Sequence, residues 1–299
     1  MAGAALLISG GIGAGLQFGV FAGLATAAGF TGFDWIKVFS MKTRSKELIL
    51  GAAAAPFGFR YDTLHPDVSG ITDLGSLKAL AASISEHKET HPLAVQFGYG
   101  NEDASAPTPA YEILKQARLL PKHNSTKFED LIDGRRAGAA FSLVEAKLTA
   151  TSGDNDTVEF QGLLLHVEYP QRFQGRTLIA RRGWRKGWFS DDALKLVELV
   201  SSELDRAFRV YSTDQVEARA LLTPDRMERL IALERHFDGG DLRAVFEDGH
   251  LTLTLEADDQ FEGGSIFKTL VDPMRFVGAL TEMGLVCDLV DGFLTRDWA

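Results

Sequence analysis

The strongest constraint on this chain is that its first part carries no charged side chain. From Met1 to Phe33 the sequence contains no Asp, Glu, Lys, Arg or His. A helix needs about 20 predominantly apolar residues to cross the hydrocarbon core of a bilayer, so this segment is long enough to span it once. We therefore predict a membrane anchor helix within residues 1–36. A secretory signal peptide and a buried Gly/Ala-rich helix of a soluble protein are the alternative interpretations.

Glycines recur every fourth position within this segment, at Gly11, Gly15, Gly19 and Gly23. Residues four apart lie on the same face of a helix. Small residues with this spacing let the backbones of two membrane helices approach closely. The pattern predicts that the segment packs against a second copy of the chain or another membrane protein, although glycine is also common in membrane helices generally.

Charges on the two sides of the segment indicate its orientation. Lys37, Lys42, Arg44 and Lys46 follow it, whereas no basic side chain precedes it. Basic residues accumulate on the cytoplasmic side of membrane helices, so we expect the remainder of the chain in the cytoplasm. A single cysteine, Cys287, excludes an internal disulfide and agrees with that compartment.

The composition of the whole chain is that of a globular protein, with 45% hydrophobic and 24% charged residues. The net charge is −10, which gives no general attraction to nucleic acid and excludes that partner from our hypotheses. We predict three regions: the anchor over 1–36, a helical linker region over 37–109 and a soluble α+β domain over 110–299. Within the linker region the apolar spacing predicts a helix over 73–89.

Hydrophobic residues alternate with a period of two in the third region, which is typical of strands. The predicted strands cover residues 139–151, 157–169, 176–181, 210–212 and 218–222.

Helices and one hairpin complete the prediction for this region. Thr223 and Pro224 are a helix start, followed by apolar spacing as far as His236. Asp248-Gly249 is a strong hairpin turn between strands over 242–246 and 250–256. A last helix runs from Pro273 towards Asp291. We therefore expect an N-terminal transmembrane helix and a mainly antiparallel β-sheet domain with packed helices.

A short segment opposes the overall acidity by combining positive charges with tryptophans. It contains Arg181, Arg182, Trp184, Arg185, Lys186 and Trp188. Basic side chains are attracted to anionic lipid and tryptophan favours the headgroup layer, so contact with the bilayer is one interpretation. An anionic protein partner and a hairpin whose tryptophans pack inward are the others.

A polar run contains Tyr211, Asp214, Glu217 and Arg219, which could supply a base and an anion-stabilising group. The alternative is structural, because Asp is a common turn former, and Glu217 and Arg219 would pair on one face of a strand. No spacing typical of a zinc, calcium or phosphate site accompanies the run. We predict no metal and no cofactor.

The chain from about residue 128 onward resembles a known family. The similar segments are FEDLIDG at 128–134, FSLVEA at 141–146, FQGL at 160–163, RFQGR at 172–176 and FRVYSTDQVEAR at 208–219, continuing through 221–230. This sequence resembles a bacterial membrane-associated family known as domain of unknown function 3137. The resemblance covers about residues 128–299 and implies hydrophobic segments before a soluble region, with no established activity. Family members often have two such segments where this chain has one.

These observations lead to one principal hypothesis and two alternatives. We expect a protein of the bacterial inner membrane that has no catalytic role, whose cytoplasmic α+β domain recognises or scaffolds a partner. A membrane-bound hydrolase with a polar site near Tyr211 is the first alternative. A small subunit of a larger membrane complex is the second.

Overall fold

The computed structural model describes most of the sheet domain and the helices packed on it. The described residues are 32–64, 79, 83, 107–152, 155–169, 172–184, 193–198, 202–236, 241–257 and 273–294. The predicted anchor segment, including Gly11, Gly15, Gly19 and Gly23, and almost all of the helix predicted over 73–89 lie outside them.

Nine described strands form one sheet. They are β1 Arg60–Thr63, β2 Ser125–Arg136, β3 Ala139–Ser152, β4 Asn155–Glu168, β5 Thr177–Arg181, β6 Lys195–Val197, β7 Phe208–Ser212, β8 Leu242–Glu247 and β9 His250–Glu256. Their spatial order is β1-β2-β3-β4-β9-β8-β5-β7-β6, and every neighbouring pair is antiparallel. The β4–β9 pair therefore joins β1–β4 to β5–β9.

The described helices are α1 Gly32–Ala54, α2 Pro109–Gln116, α3 Ser202–Ala207, α4 Gln215–Leu221, α5 Pro224–His236 and α6 Pro273–Leu294. A 3-10 turn, Ala55–Phe57, follows α1 and leads into β1. Helices lie on both faces of the sheet, and together with the sheet they confirm the predicted α+β class.

The two faces of the sheet carry separate apolar cores. On the first face, α1, α4, α5 and α6 cover side chains such as Leu143 and Leu253. On the second face, α2 and the segment after it cover side chains such as Val144 and Leu164. Leu143 and Val144 are consecutive, so β3 is buried on both sides. This explains why its apolar pattern is denser than a simple alternation.

Hydrophobic alternation and turn residues predicted several elements correctly. The strands at 139–151, 157–169 and 176–181 correspond to β3, β4 and β5, and α5 begins at Pro224. The turn between β8 and β9 has φ values of 51° at Asp248 and 75° at Gly249. These are the left-handed values that a tight two-residue hairpin requires.

The strand predicted over 218–222 is wrong, because these residues belong to α4 and the bend that follows it. Asp214 caps this helix: its Oδ1 accepts hydrogen bonds from the backbone N–H groups of Val216 at 2.9 Å and Glu217 at 3.0 Å. A side chain that satisfies these two donors starts a helix and competes with strand pairing. The predicted pairing of Glu217 and Arg219 across one strand face is therefore also wrong.

The first described helix crosses the boundary predicted between anchor and linker. α1 begins at Gly32 and continues to Ala54, so residue 36 lies inside it. β1, within the predicted linker region, pairs with β2 at the edge of the sheet. Within the described ranges, no helix has both the length and the apolar character needed to cross a bilayer.

Candidate functional site

The polar run near Tyr211 forms a hydrogen-bond network that ties the loop before β5 to α4. The Glu217 carboxylate accepts from the backbone N–H of Gln174 and from that of Gly175, each at 2.8 Å. Thr213 Oγ1 accepts from the backbone N–H of Arg176 at 2.9 Å. We call these five residues the loop–helix network. It joins two of the segments that carry the family resemblance, 172–176 and 208–219.

Gly175 allows the close approach within this network. A Cβ at this position would lie 2.9 Å from Asp214 Cβ and 3.1 Å from Glu217 Oε2. Any larger residue would push the loop away from the helix that holds it. The glycine is therefore required by contact rather than by an unusual φ angle.

The structure does not bring the four residues of the predicted polar site together. Asp214 and Glu217 bind backbone N–H groups, while Tyr211 lies on the opposite face of β7, packed against the second core. Arg219 is exposed and contacts Gln215 Oε1 at 3.4 Å. The carboxylate oxygens of Asp214 and Glu217 are therefore occupied by backbone donors of the fold.

We expect Glu217→Gln to lower the free energy of unfolding by about 1–2 kcal/mol, because the amide cannot accept both backbone hydrogen bonds with one oxygen. The measurement is the urea midpoint of the detergent-solubilised protein, followed by circular dichroism. Glu228→Gln, at an exposed position of α5, is the matched control and should leave the midpoint unchanged. An unchanged midpoint for Glu217→Gln would contradict the structural role of this carboxylate.

The predicted basic and aromatic segment is divided between the two faces of the sheet. Arg181 forms an ion pair with Glu234 of α5, in which Arg181 Nε donates to Glu234 Oε1 at 2.9 Å. Glu234 is buried and also accepts from the backbone N–H of Leu242 at 3.0 Å. Burial raises the pKa of Glu234, and the bonds from Arg181 and Leu242 oppose that rise. Arg181 therefore holds α5 on the first face.

Trp184 lies on the other face, where its ring stacks on the guanidinium of Arg243 at 4.2 Å. Its Nε1 donates to the carbonyl oxygen of Arg118 at 3.3 Å. Arg243 is buried and pairs with Glu256 at 2.8 Å, and burial lowers the Arg243 pKa. Trp184 thus packs on the domain itself.

Contact of this segment with lipid or an anionic partner stays a prediction. Arg182 is exposed, while Arg185, Lys186 and Trp188 lie outside the described residues.

A buried polar cluster beneath α1 was not foreseen in the sequence. Lys46 Nζ lies 2.6 Å from Asp130 Oδ2, and Tyr61 donates its hydroxyl to Asp130 Oδ1 at 2.5 Å. Asp130 is fully buried and Lys46 nearly so. Burial and the neighbouring Asp130 carboxylate raise the Tyr61 pKa, so the phenol stays protonated and acts as a donor. The cluster joins α1, β1 and β2.

Carboxylate oxygens of Glu129, Asp130 and Glu145 lie within 4.8 Å of one another in this cluster. Oxygen ligands of this kind suit a hard cation. Lys46 already contacts Asp130, and Lys127 forms an ion pair with Glu129. Lys46 and Lys127 supply the positive charge that a bound cation would otherwise provide. We therefore interpret the cluster as one that stabilises the fold. From the sequence, Lys46 was interpreted only as one of the basic residues that follow the predicted membrane segment.

The fold and these sites define the described part of the chain as an α+β domain with a nine-stranded antiparallel sheet, stabilised by buried ion pairs. A family model described as "Protein of unknown function (DUF3137)" matches residues 158–294. This confirms the resemblance found in the sequence, and residues 158–294, from β4 to α6, carry a domain of that family.

Among solved structures, the chain is similar to the crystal structure of the mycobacterial trehalose monomycolate transport factor A, TtfA. The sequences are 10% identical, the match covers 86% of this chain and 99% of that chain, and the TM-score is 0.35. A similarity this low carries no inference about function. No curated protein matches the sequence.

Proposed function

We propose that this protein is a membrane-tethered interaction protein of the bacterial inner membrane, without a catalytic role. Its α+β domain binds or positions a partner at the cytoplasmic surface. The uncharged segment over 1–33 is the tether, and its glycine face packs against a second copy or another membrane subunit.

The observation that carries this proposal is the way in which α1 is docked. α1 begins at Gly32, at the end of the uncharged segment, and buries Leu50, Ala53 and Ala54 against the first core. Its Lys46 is paired with Asp130 in the sheet. A helix anchored by apolar contacts and a buried ion pair cannot swing away from the domain as a flexible linker would. The fixed position of α1 on the domain supports a tether that keeps the domain close to the bilayer.

The loop–helix network supports the absence of a catalytic role. The hydrolase hypothesis required Asp214 or Glu217 to face a cleft with Tyr211 nearby. Both carboxylates instead accept backbone hydrogen bonds, and Tyr211 lies on the other face of the sheet. These groups support the geometry of a domain that presents a surface rather than one that performs a reaction.

The tether is tested by extraction of membranes that contain the full chain. We expect the protein to stay in the membrane fraction after alkaline carbonate treatment and to be released only by detergent. Release by carbonate alone would contradict the tether. Mass spectrometry of the detergent-purified protein then identifies whatever remains bound to the domain.

Packing through the glycine face is tested by disulfide crosslinking of Gly15→Cys in a Cys287→Ser background. Gly13→Cys is the matched control, because it lies at a similar depth but about 200° around the helix from Gly15. We expect a crosslinked dimer with Gly15→Cys and none with Gly13→Cys. Equal crosslinking of both variants would contradict a specific face. Crosslinking of neither, together with a copurifying membrane protein, would support the subunit alternative.

A further inference from the structure

Two histidines from neighbouring strands stack on the second face of the sheet. His166 of β4 and His250 of β9 have ring centroids 4.7 Å apart, with an angle of 14° between the ring planes. In the strand register His166 lies opposite Thr252, and His250 lies opposite Glu168. The two rings, which we call the histidine pair, are therefore diagonal neighbours across the β4–β9 pair that joins the two parts of the sheet.

Hydrogen bonds hold both rings in this arrangement. His166 Nδ1 lies 2.8 Å from Oγ1 of Thr252, whose side chain is buried. His250 Nδ1 donates to the carbonyl oxygen of Asp248, in the hairpin turn, at 3.0 Å, because a carbonyl oxygen can only accept. Neither ring can turn away from the other without losing its bond. The fold therefore keeps the two imidazoles face to face.

This position makes a proton on His166 unfavourable. Burial and, secondly, the charge of His250 lower the pKa of His166 to about 4, while Glu168 opposes that shift. A histidine in an unfolded chain has a pKa of about 6.5. The folded domain thus keeps His166 neutral in a range of pH where the unfolded chain binds a proton. Its contribution to stability is complete above about pH 6.5 and is lost as the pH falls towards the folded-state pKa.

The carboxylates beside the histidine pair already have partners. Glu168 accepts a hydrogen bond from the backbone N–H of Ala140 at 2.8 Å and lies 3.7 Å from a guanidinium nitrogen of Arg135. Glu247 of β8 lies opposite His250 on its other side, and its Oε1 is 3.3 Å from Arg176 Nε. Each carboxylate therefore divides its negative charge between an arginine and the histidine pair.

The other elements around the pair add little charge that could compensate a proton. Ser142 of β3, which lies opposite His166, is uncharged. Asp133 is one strand further away, on β2, and pairs with Arg60 of β1. The helix α2 packs across β4 and β9 with two charged side chains, the exposed Glu112 and Lys115, which lies over the Tyr111 ring of the same helix. A second proton on the pair would therefore meet the first without a new counter-charge.

We propose that the histidine pair is an acid-sensitive contact between the two parts of the sheet. When both imidazoles carry a proton they repel each other, and the end of the β4–β9 pair beside the Asp248-Gly249 turn opens. This end contains the Glu168–His250 register pair and the hydrogen bond from the Tyr169 N–H to the Gly249 carbonyl oxygen at 2.9 Å. The inference concerns the sheet alone and does not depend on the membrane tether.

The first test measures urea unfolding of the full chain in mild detergent at about pH 8, 6.5 and 5. It compares the natural sequence with His166→Asn, His250→Asn and the double variant. The asparagine amide occupies the place of Nδ1, so it can keep the hydrogen bond to Thr252 or to Asp248. Should His166→Asn fail to fold, His250→Asn still tests the proposal, because it alters the more exposed ring.

We expect the unfolding equilibrium constant of the natural sequence to rise about five- to tenfold more than that of His166→Asn between pH 6.5 and pH 5. The effects of the two substitutions should be additive at pH 8. They should not be additive at pH 5, where either substitution alone removes the repulsion. The same pH dependence in all four proteins, or additivity at every pH, would overturn the proposal.

The second test locates the opening by hydrogen exchange, with rates corrected for the intrinsic effect of pH. Between pH 7.5 and pH 5.5 we expect peptides from residues 163–169 and 250–256 to lose protection several-fold more than a peptide from residues 126–134 of β2. His166→Asn should abolish this difference. A loss of protection that is uniform across the sheet would show general acid unfolding and contradict a local contact.

Discussion

Replacing Gly162 with alanine is expected to lower the free energy of unfolding by about 4 kcal/mol or more, because a methyl group there meets backbone atoms that cannot move separately. A Cβ at Gly162 would lie 2.1 Å from the carbonyl oxygen of Leu255 and 2.8 Å from the backbone nitrogen of Ala257. The φ angle of Gly162 is 154°, which is also unfavourable for an alanine. Relief requires β4 and β9 to separate, and that pair joins the two parts of the sheet.

The measurement is urea denaturation of the full chain in mild detergent, followed by far-ultraviolet circular dichroism. Gly51→Ala is the matched control, since Gly51 lies in α1 and a methyl group there would meet nothing within 4 Å beyond its own stretch of helix. Alanine is favoured over glycine in a helix, so this control should be unchanged or more stable by up to about 1 kcal/mol. A Gly162→Ala protein with the midpoint of the natural sequence would show that β4 and β9 do not pair closely here.

Replacing Lys46 with methionine is expected to cost about 3–5 kcal/mol, because it leaves the buried Asp130 carboxylate without its closest cation. The volume is nearly conserved, so the loss arises from charge and not from a cavity. Glu129 and Glu145 lie close to Asp130 and increase the repulsion. Lys42→Met, at an exposed position of the same helix, should change stability by less than about 0.5 kcal/mol.

The pH dependence separates this electrostatic cause from a packing defect. Without Lys46, burial and the neighbouring carboxylates raise the pKa of Asp130 above its value in the unfolded chain. A raised carboxyl pKa means that the folded state binds more protons, so its stability increases as the pH falls through that pKa. The deficit of Lys46→Met relative to the natural protein should therefore shrink as the pH is lowered across the range in which both proteins stay folded. A deficit that is constant over this range would indicate lost packing instead.

Some structural features followed from short-range patterns in the sequence. The hairpin at Asp248-Gly249, the start of α5 at Pro224 and the strands β3 and β4 were predicted correctly. Each depends on residues within one turn or two neighbouring strands, where backbone preferences act directly. The family resemblance over the later part of the chain was confirmed for the same reason, since it rests on contiguous segments.

Other features could not be predicted in this way. Residues 218–221, predicted as part of a strand, belong to α4 because the Asp214 side chain caps the start of this helix. The alternation of apolar residues along the sequence does not indicate this cap. The strand β2 was not predicted, because acidic residues such as Asp130 interrupt its apolar pattern. Asp130 can be buried in this strand because it contacts Lys46 and Tyr61. These contacts connect positions 84 and 69 residues apart in the chain.

The sequence by itself determined the uncharged opening segment, the hairpin turns, the mixed helical and β character of the domain and its family. These depend on composition and on neighbours along the chain. Only the tertiary structure decided which charges are buried and where they point. It paired Lys46 with Asp130 and Arg181 with Glu234, placed Trp184 on the opposite face, and bound Glu217 to the loop at 174–175. A charge enters the interior only where the fold brings a partner to it, and that partner is set by the packing of distant elements.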